Sequence, residues 1–298
     1  MSEANVPHNN LEIAEHSFSE FRRFIRVFLS RKVVAFGTFI ILILIFNAIF
    51  APVITPYDPY KVDTKKALQQ PSMEHFLGTD QLGRDTLSRL IYGSQVSLQV
   101  GIIAVVVAAT IGMFLGLVAG YFGGWPDRII MRLMDALMAI PSIMLALAIT
   151  AMLGGGIRNV MIALGITLTP VYCRIIFGQI LSIKESDYIM AAIAAGASNL
   201  RVMFLHILPN CFPILIVLIT INLGIAILTE AGLSFLGIGI SPPGAAWGAM
   251  VSDGYRYLLT NPFLSFAPGV CIMLVVWSFN MVGDGLRDAL DPRLRGTL

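Results

Sequence analysis

The chain alternates long apolar stretches with short polar ones, and the apolar stretches have the length of membrane-spanning helices. A helix needs about 20 mainly apolar residues to cross the hydrocarbon core of a bilayer. The fourth stretch is interrupted by Pro170 and Arg174, but its length fits and it makes the number of crossings even. The pattern predicts an all-α polytopic membrane protein with six transmembrane helices, at residues 33–54, 96–121, 129–152, 159–180, 209–229 and 263–283.

Composition supports this prediction. Of the 298 residues, 56% are hydrophobic and only 13% are charged, whereas about a quarter of the residues in a soluble domain are charged. The net charge of +2 is too small to indicate a nucleic-acid partner. The polar, acidic N-terminal stretch lacks the basic-then-apolar order of a cleavable signal peptide, so we expect the first apolar segment to be retained as a helix.

Cysteine and histidine usage indicates neither a disulfide framework nor a metal site. The three cysteines fall in apolar segments at unrelated spacings, and the four histidines form no ligand constellation. These residues are Cys173, Cys211 and Cys271, and His8, His16, His75 and His206.

The placement of lysine and arginine predicts the direction of the spans, because these residues are enriched in cytoplasmic loops. Basic residues crowd the entrance to the first span, and six crossings return the C-terminus to the same side. We therefore expect the tails 1–32 and 285–298 in the cytoplasm, and the segments 55–95 and 231–261 outside. The basic residues concerned are Arg22, Arg23, Arg26, Arg31 and Lys32 before the first span, and Arg287, Arg293 and Arg295 after the last.

The two outside segments contain patterns typical of folded structure. In segment 55–95, Thr79 or Asp80 is suited to cap a short amphipathic helix, in which Asp85 and Arg89 would pair at i,i+4. The glycines and the pair Pro242-Pro243 of the later segment require a loop with defined turns. The alternative for each segment is a solvated connection without a fold of its own.

Small residues recur every fourth position in the second span, at Ala108, Gly112, Gly116 and Gly120. Such a stripe lets another helix approach closely. It predicts helix packing and carries no chemistry.

The loop 184–209 between the fourth and fifth spans reads as a pair of amphipathic helices. Ser186 and Asp187 are suited to begin the first helix, and Gly196 to end it. Pro209 is expected to stop the second helix. In the second helix the polar residues Ser198, Asn199, Arg201 and His206 lie opposite an apolar face. The pair is too polar to cross a membrane and too apolar to be free in water, so it should lie on the membrane surface or on a partner protein. The expected apolar face comprises Leu200, Met203, Phe204, Ile207 and Leu208.

This loop resembles the EAA loop of ABC importer permeases. The resemblance rests on the spacing of Ala191, Ala192, Gly196, Leu208 and Pro209. The final letters HILPN are similar to the version found in dipeptide, oligopeptide and nickel permeases. The motif's namesake glutamate is replaced here by Met190, so a polar contact made by that glutamate does not carry over.

Three further segments are similar to signatures of the same group and occur in the same order. They are FLGTDQLGRDTLSRLIYG at 76–93, LSFLGIG followed by PPGAAWG within 233–248, and FNMVGDGLRDALDP at 279–292. With the EAA loop, the resemblance extends over residues 76–292. It implies a type I ABC importer permease fold, with a permease domain over residues 96–284 and its coupling loop at 184–209.

The resemblance also implies a division of labour among subunits. Such a permease forms half of the translocation pore with a homologous second permease, in the inner membrane of a prokaryote and in contact with lipid. Two cytoplasmic ATPase subunits bind ATP and Mg, and an extracytoplasmic binding protein delivers the cargo. The P-loop pattern G-x-x-x-x-G-K-[ST] is absent from this chain, so we expect no cofactor and no catalytic residue here. The residues assigned to ATPase coupling are Ala191, Ala192, Gly196, Ala197, Leu200, Arg201, Met203, Phe204, His206, Ile207, Leu208 and Pro209.

Polar groups inside spans are candidates for the pore or a gate, because burying them in a membrane is costly. Glu230 lies at the outer end of the fifth span and Asn222 lies in its middle. Asp135 lies in the third span, where a local ion pair with Arg132 is the alternative to a functional role. Pro141 in the same span is expected to kink the helix.

Other functions remain as alternatives. Peptides are the expected cargo, with nickel chelates or another small solute as the alternative. A secondary transporter would have no need of a docking loop, and no inverted repeat is visible. An intramembrane aspartyl protease would use two carboxylates such as Asp135 and Asp284, but these lie at the ends of different spans and the chain reads MVGDG rather than G-x-G-D.

Overall fold

A computed structural model of the chain describes residue 25 and residues 27–29, 31–240 and 243–290. Most of the predicted N-terminal tail, with Arg22, Arg23 and Arg26, lies outside the described residues, as do Pro242 and residues 291–298. The described part is built from α-helices joined by turns. In chain order they are α1 Lys32–Ile54, α2 Thr86–Phe122, α3 Gly124–Met138, α4 Ser142–Leu153, α5 Ile157–Lys184, α6 Asp187–Ala194, α7 Asn199–Arg201, α8 Leu208–Phe235, α9 Trp247–Tyr255 and α10 Phe263–Leu290.

Five helices of the described chain are long and apolar enough to cross a membrane, namely α1, α2, α5, the helix Asn199–Phe235 that contains α7 and α8, and α10. The predicted third span, 129–152, is not one helix, because α3 and α4 are bent by 92° relative to each other. The break comes at Pro141, which precedes α4 with an extended backbone. Proline disfavours a helical residue before it, so the expected kink becomes a full break. The described chain has six crossings only if the bent pair of α3 and α4 counts as one span.

The ends of the bundle are joined by short contacts. The Arg31 guanidinium lies 2.9 Å from the Asp288 carboxylate, so the start of α1 and the end of α10 lie on the same side. This arrangement agrees with an even number of crossings. At the ends of α2 and α5, Lys184 Nζ donates a hydrogen bond to the Tyr121 carbonyl oxygen at 2.7 Å.

The predicted short helix in segment 55–95 is the first part of α2, which continues without a break into the second span. Its N-cap is Asp85 rather than Thr79 or Asp80, and the Asp85 carboxylate accepts from the Ser88 backbone N–H at 2.8 Å. The predicted pair of Asp85 with Arg89 is wrong. Asp85 contacts His75 instead, with 2.8 Å between Oδ1 and Nδ1, because capping the helix turns its carboxylate away from the following turn.

The glycine stripe packs α2 against α5 of the same chain. A Cβ on Gly112 would lie 2.5 Å from the Tyr172 Cβ, and one on Gly116 would lie 2.7 Å from the Cys173 carbonyl oxygen. These distances are too short for any side chain, so the close approach depends on glycine. The prediction of a tight helix contact is confirmed, and the partner helix belongs to this chain.

The two segments expected outside pack against each other, which excludes the alternative of solvated connections. Arg89, on α2, donates to the carbonyl oxygens of Pro59, Pro243 and Gly244 at 3.2, 3.4 and 3.3 Å. The Trp247 indole N–H donates to the Leu90 carbonyl oxygen at 2.9 Å. Because these bonds join residues far apart in the chain, the segments 55–95 and 231–261 form one structure beyond the spans.

A carboxyl group lies half-buried in this structure. Burial raises the pKa of Asp253 on α9, and the positive charges of Arg84 and Arg89 oppose that shift. Two opposing effects therefore act on the protonation of Asp253. Desolvation favours the neutral acid, and the two arginines favour the carboxylate.

Coupling loop and intramembrane polar groups

The loop 184–209, the predicted coupling loop, is fastened to the bundle at both ends. Lys184 Nζ bonds the Tyr121 carbonyl oxygen and lies 5.5 Å from the centre of the Tyr121 ring. The Tyr121 hydroxyl donates to Asn199 Oδ1 at 2.9 Å. One residue at the end of α2 therefore holds both the entrance to the loop and the start of α7.

The first helix of the loop is α6, and it begins and ends where the sequence predicts. Ser186 is the N-cap residue, although its hydroxyl donates to the Ile183 carbonyl oxygen at 2.6 Å and leaves the helix N–H groups uncapped. Asp187 lies in the first turn, where its charge favours the helix dipole. Gly196 follows the helix with φ of +84°, a conformation that side chains with a Cβ rarely adopt, so the predicted stop is confirmed.

The second half of the loop is not a separate helix ended by Pro209. It continues from α7 through a π-helical turn, Val202–Ile207, into α8. In this turn the Leu208 N–H donates to the Met203 carbonyl oxygen five residues back. Pro209 has no N–H, and its ring would crowd the carbonyl of residue 205 in a regular helix. The wider turn accommodates the proline without ending the helix.

The π turn divides the apolar face that the sequence predicts. Val202, Met203 and Ile207 are buried, and Val202 and Ile207 lie one π turn apart on the side facing the bundle. Leu200 and Phe204, expected on the same face as Met203 and Ile207, are instead 66% and 46% exposed. The prediction of one continuous apolar face is wrong because it assumed 3.6 residues per turn throughout.

The loop leaves a second apolar surface uncovered, which we call the exposed loop surface. It is formed by Met190 and Ile193 of α6 together with Leu200, Phe204 and Leu205. The remaining residues assigned to coupling differ in burial. Ala191, Gly196, Arg201 and Pro209 are exposed, Ala192, Ala197, His206 and Leu208 are half-buried, and Met203 and Ile207 are buried in the bundle.

The candidate pore residue Asp135 forms an ion pair with Arg174 of α5, and not with Arg132 as the sequence suggested. Both side chains of the pair are about half exposed, at 50% for Asp135 and 48% for Arg174. Position 132 lies three residues from Asp135 on the same helix, whereas Arg174 reaches it from a neighbouring helix. Arg174 was not among the predicted site residues, although a charge that interrupts an apolar stretch is a signal of a functional position.

Glu230 and Asn222 are buried within the bundle of this chain. The Glu230 carboxyl group accepts a hydrogen bond from the Ser234 hydroxyl at 2.7 Å. The Asn222 side-chain N–H donates to the Leu218 carbonyl oxygen at 2.9 Å. The three candidate pore residues thus have separate partners, and Asp135 is the exposed one.

Comparisons with known proteins cover nearly the whole chain. Residues 112–296 match the model of the family described as binding-protein-dependent transport system inner membrane component. Residues 19–71 match the N-terminal transmembrane domain of oligopeptide transport permease C.

Curated relatives are similar over most of their length. A dipeptide transport system permease protein of Alkalihalophilus pseudofirmus is 46% identical, over 89% of this chain and 87% of the relative. A glutathione transport system permease protein of Pectobacterium atrosepticum is 42% identical, over 92% of this chain and 91% of the relative.

A solved structure, the inward-facing MetNI methionine ABC transporter, is similar in fold with a TM-score of 0.56. Its chain is 20% identical, and the match covers 68% of this chain and 96% of that one. Its fold and the family match show a type I ABC importer permease, a pore subunit of a system in which separate subunits hydrolyse ATP. The chain therefore belongs to the binding-protein-dependent transport system inner membrane component family.

Proposed function

We propose that this chain imports di- or oligopeptides as one half of a pore that it forms with a homologous second permease. The relatives named for dipeptide and glutathione transport support a peptide cargo, since glutathione is itself a small peptide. Nickel complexes are the second cargo to be tested, because the loop ending HILPN is shared with nickel permeases.

The exposed loop surface is the observation that supports coupling to an ATPase. Large apolar side chains on this surface, such as Leu200 and Phe204, are left uncovered. An apolar surface on an element that is anchored to the bundle is suited to a hydrophobic groove of a partner. We assign that groove to a cytoplasmic ATPase that binds ATP and Mg, so closure of two such subunits would move the loop and, through Tyr121 and α8, the spans.

The folded segments 55–95 and 231–261 are suited to receive a binding protein on the outer side. This assignment requires both termini to be cytoplasmic, as the arginine distribution predicts. Cysteines introduced at the exposed positions Ser72 and Leu259 should react with a membrane-impermeant thiol reagent from outside only. Labelling of either position only from the cytoplasmic side would show that the orientation is opposite to the predicted one.

The transport activity is tested by reconstitution of the complete system in vesicles. We expect uptake of labelled dialanine that requires ATP, the ATPases and the binding protein, and no ATP hydrolysis by the purified chain alone. Glutathione and a nickel complex are measured in parallel. Uptake of nickel without either peptide would replace the peptide assignment, and transport by the isolated chain would contradict the subunit assignment altogether.

A further inference from the structure

Helix α5 is more buried than the other four spanning helices. Few of its residues are exposed, and they wind around the helix instead of sharing one side, because four residues turn an α-helix by about 40° more than a full turn. The exposed residues are Arg158, Ile162, Ile166, Arg174, Gly178, Leu181 and Ser182. A helix enclosed by its own chain elsewhere meets its remaining surroundings at these positions.

The Asp135–Arg174 pair joins two candidate spans. Arg174 lies within the candidate span Ile157–Lys184, and Asp135 lies within Gly124–Met138, the first arm of the bent pair. The predicted fourth span ends at residue 180, six residues after Arg174, which at 1.5 Å per residue is about 9 Å. The ion pair holds the two side chains together at this level.

Half-exposed charges within candidate spans are incompatible with a lipid-facing position, because hydrocarbon cannot solvate them. Nor are the two side chains enclosed by their own chain, as Glu230 is. Their exposed atoms must therefore face water or polar groups. In a subunit of a pore, the surface with that property is the wall of the translocation path.

We propose that the Asp135–Arg174 pair is a transient binding site for the charged ends of a zwitterionic peptide on that wall. The guanidinium would receive the peptide carboxylate, and Asp135 would receive the ammonium group. When the path is empty the two side chains neutralise each other, and a zwitterion replaces each partner without changing the net charge. Exposed ion pairs are weak, so this exchange costs little. The proposal rests on the function proposed above.

The first test is uptake of labelled dialanine by the complete complex with altered charges. Arg174→Gln and Asp135→Asn should each lower uptake about tenfold, the loss expected for one charge-assisted hydrogen bond. The double variant should remain as low as the weaker single variant, because both charges are needed by the peptide. Restoration of uptake in the double variant would show a merely structural pair and overturn the proposal. Arg158→Gln, an exposed arginine at the other end of the same helix, is the matched control and should transport normally.

The second test does not depend on the level of transport. Gly178→Cys, one helical turn from Arg174 and with no atom within 4 Å of an added Cβ, is placed in a chain whose three native cysteines are replaced by alanine, and the assembled complex is treated with a charged methanethiosulfonate reagent. We expect modification at position 178 that excess dialanine slows, and none at the control Phe39→Cys on the apolar surface of α1.

The outcomes of the second test are separable. Absence of modification at position 178 would overturn the water-facing position. Modification that dialanine leaves unchanged would overturn the peptide site. Failure of the wild-type complex to take up dialanine, measured in the same membranes, would count against the proposed cargo instead.

Discussion

The Tyr121 hydroxyl donates a hydrogen bond to Asn199 Oδ1 at 2.9 Å, and this bond connects the end of the second span to the start of the helix that leaves the coupling loop. Tyr121 is itself buried. Its carbonyl oxygen also accepts from Lys184, at the other end of the loop. A displacement of the loop is therefore transmitted to α2 as well as to α5 and α8.

Replacing Tyr121 by phenylalanine should loosen this connection while keeping the buried ring. A neutral hydrogen bond contributes about 0.5–1.5 kcal/mol, so we expect the number of peptides imported per ATP to fall about two- to tenfold. ATP hydrolysis itself should continue. Tyr172→Phe is the control, since the Tyr172 hydroxyl donates within the bundle, to the Leu218 carbonyl oxygen at 3.4 Å, and not to the loop. An unchanged ratio in Tyr121→Phe would show that the bond does not serve coupling.

A charge placed on the exposed loop surface should weaken the complex with the ATPase. Burying an aromatic side chain is worth about 2–3 kcal/mol, and a carboxylate in an apolar groove adds a further penalty. We expect Phe204→Asp to reduce recovery of the ATPase in a pull-down and to reduce uptake, with normal insertion in the membrane. The matched control is Phe122→Asp, an exposed phenylalanine at the end of α2 outside the loop. Equal recovery of the ATPase with both variants would place Phe204 against lipid.

The backbone at Gly196 should tolerate asparagine better than valine. A Cβ there meets no atom within 4 Å, so steric contact is not the obstacle. The obstacle is φ of +84°, which a β-branched residue adopts at a cost of about 1–3 kcal/mol and which asparagine tolerates. We expect Gly196→Val to lower uptake and Gly196→Asn to keep most of it. Similar uptake by the two variants would mean that the bend does not position the loop.

The contact between α2 and α5 should be sensitive to one methyl group. Gly112→Ala would place its Cβ 2.5 Å from the Tyr172 Cβ, and such overpacking costs about 1–3 kcal/mol. In detergent, the variant should therefore unfold at a lower temperature than the wild type. Gly178→Ala in α5 meets no atom within 4 Å and should be neutral or stabilising. Equal unfolding temperatures for Gly112→Ala and the wild type would show that the two helices accommodate the methyl group without loss of stability.

Much of this fold could be predicted because the membrane imposes a strong pattern. Apolar length located the spans, and Gly196 marked the end of α6 through the backbone that it alone adopts readily. The division of the loop's apolar residues could not be predicted. A π turn has no period of its own in the sequence, and Pro209 indicated a helix end rather than a widened turn.

The partners of charged side chains could not be predicted where they lie far apart in the sequence. Arg132 is near Asp135 in sequence, but Arg174 reaches it across 39 residues because α3 and α5 are neighbours in space. In the same way, the pattern at Asp85 and Arg89 suits an i,i+4 pair. The contact of Asp85 with His75 depends on how the preceding segment folds back.

The π turn also sets the rotation of α7 relative to α8 about the helix axis. In a regular α-helix each residue turns the chain by about 100° about the axis, so one residue more or fewer at Val202–Ile207 would rotate α7 by roughly that amount relative to α8. A chain with the same loop residues but one deletion in this turn would direct a different side of the loop toward its partner. Loop length at this point therefore sets which side of the loop is exposed, an effect that single substitutions cannot imitate.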